Sequence, residues 1–95
     1  MSTLHIITGR IGDEELSRVH GLLGKSDAVL LAGEGVYLTL IDERVQTLAQ
    51  RCPLFALRED CASRGLSDKA EHLEQISYDR FVDLCCAHDN SVSWS

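Results

Sequence analysis

The chain reads as an α/β protein, a mostly parallel sheet of four to five strands sandwiched between two layers of helices. Three observations predict it. Short apolar runs alternate with amphipathic stretches along the whole sequence. Residues 28–32 are apolar without interruption, as in a strand buried on both faces of a parallel sheet. Gly9, Gly24, Pro53 and Gly65 punctuate the runs where elements must stop. Right-handed crossovers between such strands place helices on both faces.

Residues 4–8 form the first strand, interrupted only by His5 and ended by Gly9. Asp13 offers an N-cap, and Glu14 and Glu15 follow in the first turn, where the helix dipole favours acids. Leu16, Val19 and Leu23 recur at spacings of three and four, so an amphipathic helix runs to Gly24 and Lys25. After the strand at 28–32 comes the Gly33-Glu34-Gly35 turn. Leu38, Ile41, Val45 and Leu48 then mark one helical face, with a break near Asp42. Pro53 closes that helix and opens a third strand at 54–57. A short helix at 59–64 is stopped by Gly65 in the left-handed position after its end. A weaker fourth strand spans 74–77. The helix at 78–87 begins at Tyr78-Asp79 and turns Phe81, Val82, Leu84 and Cys85 inward. Val92-Ser93-Trp94 adds a short edge strand. The sequence has no repeat, linker or low-complexity stretch, so residues 1–95 are read as one domain.

Composition excludes several function classes. With 44% hydrophobic and 25% charged residues the chain is too apolar to be disordered. A net charge of -6 and nine scattered basic residues do not make a phosphate-binding surface, so direct tRNA binding is not expected. No run approaches the roughly 20 apolar residues of a membrane helix. Met1-Ser2-Thr3-Leu4-His5 lacks the features of a signal peptide, so a cytoplasmic location is expected, with the four cysteines as reduced thiols. A domain of this size buries a modest share of its surface and leans on partners.

Gly33-Glu34-Gly35 sits where a phosphate loop would, but an acid between two glycines repels phosphate. The turn reads as a tight connection needing positive φ. No cofactor is expected. Cys52, Cys61, Cys85 and Cys86 contain no C-x-x-C pair, hence neither a redox centre nor a zinc knuckle. Cys85 and Cys86 are adjacent on a helix, one turned to the core and one half exposed. Cys52, at a helix end, reads as packing. Cys61 follows the third strand at the sheet's C-terminal edge, where ligands bind in such folds and backbone N–H groups lower a thiol pKa. Glu59 and Asp60 oppose that ionisation. Cys61 is therefore either an inert thiol or a weak persulfide candidate. His5, His20, His72 and His88 form no H-x-x-x-H pair, and no metal site is assigned. Trp94 must fold back onto the domain or bury itself in a partner. Together with Val36 and Tyr37, from the apolar segment 36–41, it makes up the expected interface or tail anchor.

Several of these stretches resemble the TusB/DsrH family over essentially the whole chain. They are Leu4-His5, Leu30-Leu31-x-x-Glu34-Gly35-Val36-Tyr37, Glu59-Asp60-x-x-x-Arg64-Gly65-Leu66, Tyr78-Asp79-x-Phe81-Val82-x-Leu84 and Val92-Ser93-Trp94. The resemblance implies a DsrE-like α/β fold and a non-catalytic subunit assembled with related TusC- and TusD-like subunits as a dimer of heterotrimers. It also implies indirect partnership with TusA- and TusE-like carriers, in a relay that ends in 2-thiolation of the tRNA wobble uridine. In TusD-like subunits the carrier cysteine follows the third strand, where this chain has Leu57-Arg58-Glu59-Asp60. DsrH subunits of sulfur oxidisers carry a cysteine in the first helix, where this chain has Arg18-Val19-His20-Gly21. That favours the tRNA branch. A DsrH-like subunit of a sulfur-oxidation relay, and a thiol carrier acting through Cys61, are the alternatives.

Overall fold

The computed structural model describes residues 1–70 and 73–95; His72, one of the four histidines considered above, lies outside them. Strands β1 (Thr3–Ile7), β2 (Ala28–Leu31), β3 (Leu54–Leu57), β4 (Glu74–Ile76) and β5 (Asn90–Trp94) form one sheet in the order β4-β3-β2-β1-β5. Every pairing is parallel, as the sequence predicts for most of the sheet. The helices are α1 (Asp13–Leu22), α2 (Asp42–Ala49), α3 (Arg58–Ser63) and α4 (Tyr78–Ala87), with a 3-10 helix at Gly33–Leu40 before α2.

The strand order dictates the layers. From β1 to β4 the chain steps one strand at a time in one direction, so right-handed crossovers stack α1, α2 and α3 on the same face. From β4 it returns across the whole sheet to β5, which places α4 on the opposite face. Two cores result. Ile7, Val29, Leu31 and Ala56 pack with Leu16, Val19, Val45 and Leu48 on the first face. Leu4, Ile6, Leu30, Phe55 and Leu57 pack with Leu84 on the second, where Phe81 and Cys85 are partly buried. Leu30 and Leu31 point to opposite faces and both are fully buried, which is why residues 28–32 read as continuously apolar.

Local differences from the sequence reading have physical causes. Gly12, not Asp13, holds the N-cap position of α1, without a side-chain bond; Asp13 is the first helical residue, still well placed for the dipole. The helix expected from Leu38 starts instead at Gly33, as a 3-10 helix, and yields to α2 after Ile41, at the break expected near Asp42. Helix α3 begins at Arg58, directly after β3. The start of α4 is capped by Ser77, whose Oγ accepts a 3.3 Å bond from the Arg80 N–H. Val82 was expected inward but is exposed. Leu84 sets the buried face of α4, and Val82 lies about 200° away from it around the helix.

Strand β5 closes the sheet against β1. The Thr8 N–H donates to the Trp94 carbonyl at 2.8 Å, and the Thr8 hydroxyl donates to it at 3.2 Å. The Trp94 ring is partly buried against the first core. Removing residues 92–95 strips this acceptor from both Thr8 donors, together with that apolar cover. A loss of about 2–3 kcal/mol is expected, seen in calorimetry as a Tm lowered by on the order of 10–20 °C. An unchanged Tm would show that the tail holds nothing.

Candidate functional site

In parallel α/β sheets ligands bind beyond the carboxyl ends of the strands, where neighbouring connections leave on opposite faces. That point lies between β3 and β4, because α3 follows β3 on one face and α4 follows β4 on the other. The chain fills it with its own carboxylates. Asp60 Oδ2 accepts from the Gly33 N–H at 2.6 Å, and Glu59 Oε2 accepts from the Tyr78 N–H at 3.2 Å. The acids that precede Cys61 therefore tie the 3-10 helix and the start of α4 to α3.

Cys61 lies beneath them with no exposed surface, inside the first core. Burial raises its thiol pKa, the Asp60 charge raises it further, and the Arg64 charge opposes both. Its position near a helix start therefore does not make it a thiolate. Cys52 is pushed up to about 11, first by burial and then by the Asp27 charge. Both are thiols at neutral pH and poor nucleophiles. Cys85 is half-buried and Cys86 exposed, both on α4.

The expected interface residues separate. Val36 is fully buried in the chain's own core, so its side chain has no surface for a partner. It belongs instead to the cluster on which Trp94 packs, and the apolar segment 36–41 bends as a 3-10 helix that turns Leu40 and Ile41 outward. Tyr37 is half-buried, with the Arg10 guanidinium 4.3 Å from its ring centre and that of Arg64 at 5.9 Å. Beside it a pocket of about 220 Å³ opens at the C-terminal edge of β1. It meets, at Ile41 and Arg44, a groove of about 520 Å³ between α1 and α2 that is also lined by His20.

Trp94 folds back onto the domain. Its Nε1–H donates to His5 Nδ1 at 3.3 Å, and the two rings stack with centres 6.3 Å apart. An indole can only donate, so Nδ1 is the acceptor and the His5 proton sits on Nε2, which donates to Asp27 Oδ2 at 3.2 Å. Asp27 also accepts from the N–H groups of Thr3 and Gly24, each at 2.9 Å. His88 donates from Nδ1 to the Leu84 carbonyl at 2.7 Å. Among the described residues, no three His, Cys, Asp or Glu side chains converge on a metal site, and no helix is long and apolar enough to cross a membrane. The Trp94–His5–Asp27 chain and the Arg10–Tyr37 stack join residues that no sequence spacing links. A lone histidine inside an apolar strand was the available signal for the first.

These features define a small α/β domain whose corner after β3 is closed by its own acids, over a sealed thiol. The chain belongs to the family described as DsrH like protein, whose model matches residues 11–91. It is similar to Protein TusB of Pectobacterium carotovorum subsp. carotovorum, with 32% identity over 76% of this chain and 79% of that one. Protein TusB of Buchnera aphidicola subsp. Baizongia pistaciae is 28% identical over 96% of this chain and 99% of that one. The solution structure of Protein Tm0979 from Thermotoga maritima superposes with a TM-score of 0.66 over 92% of this chain and 93% of that one, at 22% identity, and so shares the fold. Family and relatives together place the chain among sulfur-relay subunits.

Proposed function

We propose that this chain is a non-catalytic subunit of a TusBCD-type complex that works in the cytoplasm and supports 2-thiolation of the tRNA wobble uridine. Its expected partners are TusC- and TusD-like subunits in a dimer of heterotrimers. TusA- and TusE-like carriers act on the assembly, and this chain makes no direct contact with tRNA. One observation carries the reading. At the corner after β3, where TusD-like subunits hold the carrier cysteine, this chain has Glu59 and Asp60 bonded to backbone N–H groups, and its nearest thiol is buried. A persulfide on Cys61 would need room that the core does not leave, and its anion would sit beside the Asp60 charge. Helix α1 carries no cysteine, which favours the tRNA branch over a sulfur-oxidation relay.

Co-expression with TusC- and TusD-like subunits, followed by sizing and measurement of 2-thiouridine in cells lacking the native chain, tests the proposal. A stable heteromer and restored thiolation are expected; a chain that ignores both partners would remove it. Cys61→Ala, which avoids burying a serine hydroxyl, is expected to leave assembly and 2-thiouridine at wild-type levels. Loss of thiolation in an assembled Cys61→Ala complex would establish the carrier alternative instead.

A further inference from the structure

We propose that the pocket beside Tyr37 binds a single carboxylate carried on a short apolar stem, gripped by the Arg10 and Arg44 guanidinium groups. The pocket stands at the carboxyl end of β1, on the same edge of the sheet as the filled corner between β3 and β4. Its lining is mostly apolar, from Ile7, Ile11, Tyr37, Leu38 and Ile41, with two cations, Arg10 and Arg44, against one acid, Glu34. At about 220 Å³ it holds one chemical group and a few carbons, and a longer stem runs on into the groove between α1 and α2 that it meets at Ile41 and Arg44.

The charge arrangement selects an anion. Three of the nine basic residues, Arg10, Arg44 and Arg64, gather here in a chain of net charge -6. The Arg10 guanidinium carbon stands 4.3 Å from the Tyr37 ring centre, a cation–π contact that holds the group beside the pocket. Arg64 is already committed, since it pairs with Asp60, whose carboxylate also holds the Gly33 N–H. Arg10 pairs with Glu34, which also lines the pocket, and Arg44 pairs with Asp13 in the adjoining groove. In the second pair the cation is the deeper partner, with Arg44 27% exposed and Asp13 80% exposed. Such surface pairs are weak and exchange readily for a better-placed anion. A carboxylate matches the guanidinium fork in a bidentate manner. The net negative charge of the chain, with Glu34 and Asp13 close by, repels multiply charged ligands, which favours a monoanion over a phosphate ester.

The test titrates the full-length chain with butyrate and follows the side-chain Nε–H signals of its arginines by NMR. It uses the isolated chain, so its outcome is independent of whether the chain assembles with relay subunits. Saturable shifts on the order of millimolar, confined to Arg10, Arg44 and the Tyr37 ring, are expected. Arg10→Gln and Arg44→Gln should each weaken binding at least about fivefold, with folded amide spectra. Arg18→Gln, on the exposed side of α1, should change nothing. Acetyl-Ala-Val with a free carboxylate, against the same peptide amidated, distinguishes a polypeptide end from a free acid: tighter binding of the free peptide than of butyrate identifies the former, and butyrate alone the latter. Equal binding of butyramide, titrations unchanged in both arginine variants, or no saturation with any probe would overturn the proposal.

Discussion

Gly35→Ala is expected to cost the domain about 4 kcal/mol or more, a loss near the top of what single substitutions cause. A β-carbon at position 35 would lie 1.9 Å from the Ile7 carbonyl oxygen and 2.7 Å from its carbonyl carbon. Neither atom is the free end of a side chain. Ile7 is in register with Leu31 on one side and Trp94 on the other, and its carbonyl accepts from the Ala32 N–H at 3.0 Å. Relief would therefore shift β1 between both neighbours. Against a total stability of about 5–15 kcal/mol, urea denaturation should show a greatly lowered midpoint or no folded baseline. Gly21→Ala is the control. Nothing lies within 4 Å of its added carbon, within α1, so about 0.5–1 kcal/mol of stabilisation is expected. A Gly35→Ala chain within about 1 kcal/mol of wild type would contradict the close approach of the 3-10 helix to β1.

Asp27→Ala should be the second most damaging change. The carboxylate is buried and accepts from the Thr3 N–H, the Gly24 N–H and His5 Nε2. Removing it orphans three donors at about 1–3 kcal/mol each, less than additively, so about 3–5 kcal/mol is expected. It also frees His5 to tilt away from Trp94, loosening β5. Asn at this position keeps one acceptor and should lose about half as much. The pH dependence has a definite sign. Burial alone would raise the carboxyl pKa, but the Gly24 and Thr3 N–H bonds, with the hydrogen bond from His5, outweigh it and hold the pKa below the ordinary 3.8. A folded pKa below the unfolded one stabilises the fold at higher pH, and this contribution is lost as pH falls below 3.8. The stability gap between wild type and Asp27→Ala should therefore narrow between pH 5 and pH 2 in urea titrations. A constant gap would mean that the carboxylate is not the acceptor.

Most of the fold was legible because its signals are local. The β2 run, the Pro53 stop, the Gly65 turn at φ +69° and the break at Asp42 each depend on a few neighbouring residues. The site was less legible because its contacts are remote. Asp60 and Gly33 are 27 residues apart, and no spacing rule links them. The Gly33-Glu34-Gly35 turn was read as needing positive φ. Only Gly33 has it, at +53°, while Gly35 is required by the approach of another strand, which a sequence cannot display. The buried state of Cys61 was half legible, since the opposing acids were visible but the seal over the sulfur was not. Val82 was misplaced because the inward face was drawn too wide by one position.

The pairing of β1 with β5 joins residues 3–7 to residues 90–94, nearly the full length of the chain. Loop closure on that scale is slow and is rewarded late. During synthesis β1 can dock on β2 early, yet one of its edges stays open until residues 90–94 have emerged. A nascent chain thus displays a bare strand edge, the kind of surface that recruits a neighbouring strand or a chaperone. Pulse-labelled hydrogen exchange should find the Thr8 amide, which bonds to the Trp94 carbonyl, protected after the β2–β3 amides. In the proposed complex, subunit docking would then wait until β5 has paired with β1.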